Sequence, residues 1–139
     1  MKQRQYELEI STRGPGLYEI TARIAALIEE GGIATGLLTL FCRHTSCSLL
    51  IGENADPDVQ TDLKSFFDRL VPQDMDFIVH KDEGPDDMPA HLKTALTQTT
   101  LGIPLANSRM VLGTWQGIFL FEHRARPHRR HIVLHLLGV

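Results

Sequence analysis

The C-terminal third of the chain carries the pattern that most constrains its fold. After Gly102, apolar residues fall into four strand-like runs, over 103–106, 109–112, 115–122 and 130–137, with short polar turns between them. Connections this short suit antiparallel pairing, because parallel strands need a crossover of a dozen or more residues. The pattern therefore predicts an antiparallel set of strands and argues against a doubly wound α/β sheet.

The first two thirds of the chain mix strand and helix patterns. Alternation at Tyr6, Leu8 and Ile10 predicts a first strand. The remaining predictions are a helix over 17–30, two buried strands or one long bent strand over 33–51, and helices starting at Asp56-Pro57 and at Asp87-Met88-Pro89. No linker or repeat interrupts this order, so we expect one α+β domain over residues 1–139.

Composition excludes several classes of function. The 139 residues contain 14 Lys+Arg and 17 Asp+Glu, for a net charge of -3, which argues against nucleic-acid and anionic-membrane binding. No signal peptide is visible and no apolar stretch approaches the ~18 residues that span a bilayer, so a soluble, cytoplasmic protein is expected. Cys42 and Cys47 are predicted to be reduced thiols, about 16 Å apart in extended chain and too distant to bridge.

Two histidine-containing segments suggest a functional site. His44-Thr45-Ser46 interrupts two apolar runs, where a strand end could present a functional imidazole or simply contain a satisfied buried histidine. The segment from His80 to His91 combines two histidines with four carboxylates, a ligand set typical of zinc, manganese or iron sites. Its alternative is a solvated acidic loop whose aspartates cap a helix.

Three further segments have both a functional and a structural interpretation. Glu53-Asn54-Ala55-Asp56 is a turn with a helix cap in one interpretation. In the other, Glu53, Asn54, Asp58 and Asp62 bind magnesium or orient histidines. Glu122 falls on an apolar strand face, where an acid is costly unless paired, so it marks a site or a buried partnership. The basic run from His123 to His131 is either a solvated hairpin or a phosphate clamp.

Several of these motifs together resemble one family, the YjbQ-like proteins, also called secondary thiamine-phosphate synthase enzymes. The resemblance extends over essentially the whole chain and rests on motifs in a fixed order, namely His44-Thr45-Ser46, Glu53-Asn54 with Asp56-Pro57 and Asp62, His80 with Glu83-Gly84, Asp87-Met88-Pro89-Ala90-His91, and Gly113-Thr114-Trp115-Gln116 with Glu122-His123-Arg124. Two positions depart from the family pattern. Gly52 replaces a usual Asn, and Ser108 stands where a hairpin Gly commonly precedes Arg.

The resemblance implies a YjbQ-like α+β fold with a small antiparallel β-sandwich and two to three helices, assembled as a homotrimer. It implies a polar pocket near a subunit boundary where His44, His80 and His91 meet around a divalent metal, expected to be zinc, with magnesium as the alternative. It also implies a thiamine-phosphate synthase activity, which joins hydroxymethylpyrimidine diphosphate to thiazole phosphate and releases diphosphate.

The resemblance also implies roles for single residues. The expected partner is a small-molecule substrate, with phosphorylated compounds as the favoured class, and neither nucleic acid nor a membrane is expected as a partner. The expected catalytic residues are His44, His91, Glu122 and Asp62, the expected metal ligands are His44, His80 and His91, and the expected substrate-binding residues are Asn54, Arg43, Trp115, Gln116 and Arg109. Arg124 is a further candidate for facing phosphate. Two alternatives keep the histidines: a zinc-dependent hydrolase of unknown substrate, and a non-enzymatic trimeric metal-binding protein.

Overall fold

The computed structural model describes all residues, 1–139, and shows two antiparallel sheets and three helices. The strands are β1 Lys2–Thr12, β2 Gly16–Glu19, β3 Gly36–Cys42, β4 Cys47–Glu53, β5 Thr100–Ala106, β6 Arg109–Met110, β7 Gln116–Glu122 and β8 His128–Gly138. One sheet has the order β1-β8-β3-β5-β6 and the other the order β2-β7-β4. The predicted α+β class is therefore confirmed, with every strand pair antiparallel.

One hydrophobic core joins both sheets to the first helix, α1, Thr21–Gly31. Alternate residues of each strand point into it, as expected for sheets with one buried face. Leu38 and Leu40 from β3, Leu49 from β4 and Leu120 from β7 are among its fully buried members. This packing fixes the position of one sheet relative to the other and therefore also the positions of the loops that connect them.

The predicted helix over 17–30 begins later than expected. Gly16–Glu19 is extended and pairs with the end of β7, Phe119 to Glu122, so α1 starts at Thr21. The residues Leu17 and Ile20 matched helical spacing by coincidence, because a strand partner about a hundred residues away decides their conformation. The predicted stop is correct, since Gly32 adopts the left-handed conformation with φ of 66°.

The segment over 33–51 forms two strands that belong to different sheets. After Cys42 the chain turns through residues 43–46 and enters β4 at Cys47. This corner brings the two Sγ atoms to 3.5 Å, so the expected separation of about 16 Å was wrong, because the chain is not extended between them. Both thiols are free and buried, and the neighbouring Cys42 sulfur and burial raise the pKa of Cys47.

The other two helices, α2 Pro57–Leu70 and α3 Asp87–Leu96, start where the sequence predicts. Asp56 caps α2 by accepting a hydrogen bond from the Asp58 N–H. No residue of α2 is buried, and Phe66 and Leu70 on its expected core face are more than half exposed. The helix therefore leaves part of its apolar face uncovered within one chain. None of the three helices has the length and apolar character needed to cross a membrane.

Candidate functional site

Two imidazoles and a buried carboxylate meet at the first turn of α3. His80 Nε2 lies 2.6 Å and His91 Nε2 lies 3.1 Å from the same oxygen, Asp87 Oδ2. The three side chains can offer ligand atoms that all lie within 4.8 Å of one another. Asp87 and His91 share a helix face because they are four residues apart, and His80 approaches from the preceding loop.

Arg124 holds the second oxygen of Asp87. Its Nη1 donates to Asp87 Oδ1 at 2.5 Å, its Nε donates to Asp86 at 3.0 Å, and its Nη2 donates to the Glu83 carbonyl at 3.0 Å. The Ala125 N–H donates to Asp86 as well. Arg124 is the second residue after β7, so these bonds fix the loop before α3 to the three-stranded sheet and direct Asp87 Oδ2 toward the histidines.

Electrostatics keep Asp87 ionised although its side chain is only 1% exposed. Burial alone would raise the pKa of this carboxyl group, but the hydrogen bond from His80 and the charges of His91 and Arg124 lower it below its ordinary value. A buried carboxylate that stays charged is stabilised only by cationic or hydrogen-bonding partners. Asp87 is thus available as an anionic ligand at neutral pH.

The hydrogen bonds of His91 fix the position of its ring proton. His91 Nδ1 lies 2.9 Å from the Thr45 carbonyl oxygen, which can only accept, so Nδ1 carries the proton. In a neutral ring, Nε2 then has only a lone pair, yet it faces Asp87 Oδ2. Two acceptors in contact repel each other unless a cation lies between them or the ring is protonated. The arrangement therefore calls for positive charge at this point.

Of the three residues in the cluster, His80 alone lines a cleft of about 450 Å³ beside the loop that precedes α3. His80 lines this cleft together with Asp74, Asp76 and Lys81. A cleft of this size can take a small molecule. Ligands entering it would meet His80 first, because His80 is exposed whereas Asp87 is buried.

His44 is placed beside this cluster rather than in it. Its Nε2 accepts a hydrogen bond from the His131 N–H at 2.8 Å, and it lines a shallow cleft together with Thr45 and His91. Burial, with the charges of Arg130 and His131, lowers the pKa of His44, so its ring is neutral. The structure thus brings His80 and His91 together and leaves Nε2 of His44 occupied by the backbone of β8.

Of the two alternatives for Glu122, the geometry favours the buried partnership. Its carboxylate is fully buried and accepts from Arg130 Nε at 2.8 Å, Arg130 Nη2 and Thr12 Oγ1 at 2.6 Å. It also accepts from the backbone N–H groups of His123 and Arg124. Burial would raise the pKa of Glu122, but Arg130 and Thr12 lower it below its ordinary value. The residue can act on the cluster by positioning Arg124.

Three of the predicted substrate-binding residues lie together at the other end of the three-stranded sheet. The Asn54 side chain donates to Glu19 Oε2, the Asn54 N–H donates to the Trp115 carbonyl, and Gln116 Oε1 accepts from the Gly113 N–H. The Trp115 ring is exposed. Six residue steps along β7 separate this group from Glu122, or roughly 20 Å, so the two ends do not meet within one chain.

The remaining predicted residues are dispersed on the surface. Asp62 is exposed on α2, Arg43 is exposed and lies 3.5 Å from Glu7, and Arg109 is exposed on β6. Asp87 is the member of the cluster that our sequence-based site lacked, because Asp-Met-Pro was interpreted as a helix start. The four-residue spacing from Asp87 to His91 on one helix was the available signal.

The sequence is similar to one family of proteins over almost its whole length. Residues 6–139 match the profile of the family described as UPF0047 protein YjbQ-like. The chain is 53% identical over 137 residues to UPF0047 protein sll1880 of Synechocystis sp., covering 99% of this chain and 93% of that protein. It is 40% identical over 135 residues to UPF0047 protein YjbQ of Escherichia coli O157:H7, covering 96% and 97%.

A solved structure shows the same architecture. The conserved hypothetical protein TT1486 from Thermus thermophilus superposes with a TM-score of 0.86 at 36% identity, covering 95% of this chain and 99% of that one. With two antiparallel sheets, three helices and a family match that begins within β1 and ends at the last residue, the chain belongs to the YjbQ-like UPF0047 family.

Proposed function

We propose that this protein is a divalent-metal-dependent enzyme that holds its ion with His80, Asp87 and His91, and that its reaction is of the thiamine-phosphate synthase type. The observation that carries the metal assignment is the contact at 3.1 Å between His91 Nε2 and Asp87 Oδ2, which requires positive charge, either a proton on the ring or a bound cation. A divalent ion bound to both atoms would supply that charge and leave the ring neutral.

The donor set fits zinc better than magnesium. Two imidazole nitrogens and one carboxylate oxygen form a ligand set found in catalytic zinc sites, whereas magnesium prefers oxygen ligands alone. Ligands about 2.1 Å from a tetrahedral ion are roughly 3.4 Å apart. The contact from His91 to Asp87, at 3.1 Å, is near this separation, whereas His80, at 2.6 Å, would have to move away from Asp87 to admit the ion. The hydrogen bonds from His91 to the Thr45 carbonyl and from Arg124 to Asp87 are the outer contacts that usually orient such ligands.

The proposed reaction needs charge neutralisation where diphosphate leaves. A bound divalent ion supplies this as a Lewis acid. Of the chain's own residues, Lys81 lines the same cleft and can bind a phosphate oxygen, whereas Arg124 is committed to Asp86 and Asp87. Arg124 therefore positions a ligand instead of facing substrate. The acidic neighbours Asp74 and Asp76 favour a substrate that enters with its own cation.

A zinc-dependent hydrolase is the second candidate. Three protein ligands leave a coordination position for water, which is the feature that distinguishes catalytic from structural zinc sites. The same feature disfavours a purely structural metal role, which would be closed by a fourth protein ligand. His44 could approach as that ligand only by giving up its bond from the His131 N–H.

Metal content tests the site directly. The untagged protein, purified without a nickel column, should contain about one divalent ion per chain by plasma mass spectrometry. His91→Ala and Asp87→Asn should each lose it, while His135→Ala, a matched histidine variant on the far sheet, should keep it. Equal metal content in all four proteins would overturn the assignment, as would metal-free wild-type protein that takes up none on dialysis against zinc.

Product formation then tests the reaction. Zinc-loaded wild-type protein, given both substrates, should form thiamine phosphate at a rate well above that of His91→Ala. If metal is bound but no product forms above that control, the synthase proposal fails. Release of phosphate from a panel of phosphorylated metabolites in the same preparation would then support the hydrolase.

We also propose that three chains assemble as a homotrimer. A threefold ring needs two different patches on each chain, because its contacts are heterologous. Two of the uncovered apolar patches on the chain fit this need. One is the outer face of the five-stranded sheet, where Leu37 pairs with Leu137 beside Phe41, and the other is α2 with Phe66 and Leu70.

Complementation of two variants tests this arrangement. Phe41→Asp and Phe66→Asp should each be monomeric by light scattering, because each disables one patch of every interface. Mixed together they should form a one-to-one dimer through the two intact patches. A trimer in either single variant would refute the assignment of that patch, and a wild-type monomer would refute the proposal.

A further inference from the structure

The far side of α3 contains a second polar site that the metal proposal does not use. His123, the first residue after β7, is 4% exposed, and its Nε2 lies 3.0 Å from Ser48 Oγ. Its Nδ1 is fully buried and has no hydrogen-bond partner. It is the only buried side-chain nitrogen or oxygen in the protein without one. An unpaired buried polar atom costs about 1 to 3 kcal/mol, so it calls for an explanation.

The bond to Ser48 decides which ring nitrogen carries the proton. Ser48 is fully buried, and His123 Nε2 is the only partner of its hydroxyl group. If the hydroxyl accepted from Nε2, its own proton would be left unpaired in the core. The hydroxyl therefore donates to Nε2, and the ring proton lies on Nδ1. His123 is thus a buried donor without an acceptor.

Two ammonium groups line the same cleft as the His123 side chain. His123, Lys64 and Lys93 line one cleft of about 300 Å³ between α2 and α3. Lys93 is 9% exposed. Asp68 accepts from both lysines at 2.7 Å, which satisfies one of the three protons on each ammonium. The remaining protons, together with His123 Nδ1, are donors with no acceptor in the protein.

We propose that this cleft binds a small oxyanion, the phosphoryl or carboxylate group of a metabolite, with Lys93 Nζ as its first donor and His123 Nδ1 as a second donor once binding displaces the atoms that cover it. Its oxygens would supply the acceptors that the cleft lacks. While the cleft is without ligand, Asp68 pairs with both lysines, and the net charge of Lys64, Lys93 and Asp68 is positive. Asp86 on the rim is paired with Arg124, which it shares with Asp87.

The site is separate from the proposed metal cluster. Asp87 and His91 occupy one face of α3, whereas Pro89 and Lys93 line the cleft on another. The wall of the 450 Å³ cleft shares only Gln73 and Pro89 with this one. Oxyanion binding here therefore does not require a metal, and the two proposals can fail independently.

Titration with inorganic phosphate and, separately, acetate tests the site. With both proteins freed of metal by a chelator, calorimetry should show one phosphate per chain in the wild type and in His91→Ala, which lacks a proposed metal ligand. Lys93→Gln should weaken binding at least tenfold. Lys81→Gln is the matched control, because it removes one positive charge from the 450 Å³ cleft instead. It should change the affinity for phosphate less than twofold. Tighter binding of acetate than of phosphate would identify a carboxylate ligand, and the reverse order a phosphoryl ligand.

Nuclear magnetic resonance of the wild type gives a test that needs no variant. Long-range proton–nitrogen spectra should show the His123 ring protonated at Nδ1, and phosphate should shift that signal. A ring protonated at Nε2 would overturn the proposal. So would absence of binding by both anions, binding lost in His91→Ala, or equal effects of Lys93→Gln and Lys81→Gln.

Discussion

The buried pair of Glu122 and Arg130 offers the sharpest test of how this fold is stabilised. We consider Glu122→Leu, Arg130→Met and the double variant. In the wild type, the carboxylate accepts from the guanidinium, from Thr12 and from two backbone N–H groups. Arg130 has fewer other partners, namely the hydroxyl and carbonyl oxygens of Ser46.

This asymmetry sets the expected magnitudes. Removing one partner of a buried ion pair typically costs about 3 to 5 kcal/mol. Arg130→Met leaves the carboxylate with three other donors, so its cost should be near 3 kcal/mol. Glu122→Leu leaves a buried guanidinium with only neutral acceptors, so its cost should be near 5 kcal/mol. Adding Arg130→Met to Glu122→Leu removes the unpaired charge and should recover stability, so the coupling energy should be at least about 3 kcal/mol.

Urea unfolding of the four proteins measures these values. All four are compared at one protein concentration, because assembly would make apparent stability depend on it. The dependence of the unfolding free energy on urea should be similar in all of them. If Arg130→Met costs the same free energy in the Glu122→Leu background as in the wild type, the two residues do not act as a pair and the reasoning is refuted.

Three other predictions concern single features. Burial and the neighbouring Lys93 charge lower the pKa of His123 to about 3, so the folded ring stays neutral while the unfolded ring takes up a proton below about pH 6.5. The free energy of unfolding should therefore fall as the pH decreases, by up to about 1.4 kcal/mol per pH unit more than in His123→Phe. Urea unfolding at several pH values measures this difference. Cys42 and Cys47 are buried, so a thiol reagent such as Ellman's should count none in the folded protein within minutes and two in urea; rapid native labelling would contradict the burial. Ser108 has φ of 59°, so Ser108→Gly should raise the melting temperature by relieving about 1 kcal/mol of left-handed strain, and an unchanged or lower value would refute this.

Local patterns predicted much of this fold because they describe what one segment does by itself. The alternation in β1, the start of α2 at Asp56-Pro57 and the stop of α1 at Gly32 all depend on neighbouring residues. The strand over Gly16–Glu19 was missed because β7 decides it from a distant part of the sequence. The Cys42–Cys47 contact was missed because a change of sheet has no periodic signature.

The candidate site was predictable in residue types but not in geometry. The segment rich in histidine and carboxylate identified His80 and His91, but only the folded structure shows that both imidazoles contact Asp87. The sequence also could not separate the two sides of α3. Lys93 and His123 are far apart in sequence, and their relation depends on how α3 packs beside β7.

The corner between β3 and β4 has a consequence for chemistry as well as for packing. The Thr45 carbonyl in that corner accepts the proton of His91 Nδ1, so the point at which the chain changes sheets also selects the tautomer of a proposed ligand. A substitution that reshapes residues 43–46 would let the ring proton move to Nε2 and would block metal binding without altering any ligand. Backbone shape at this corner would therefore help to set the affinity of the proposed site for a cation.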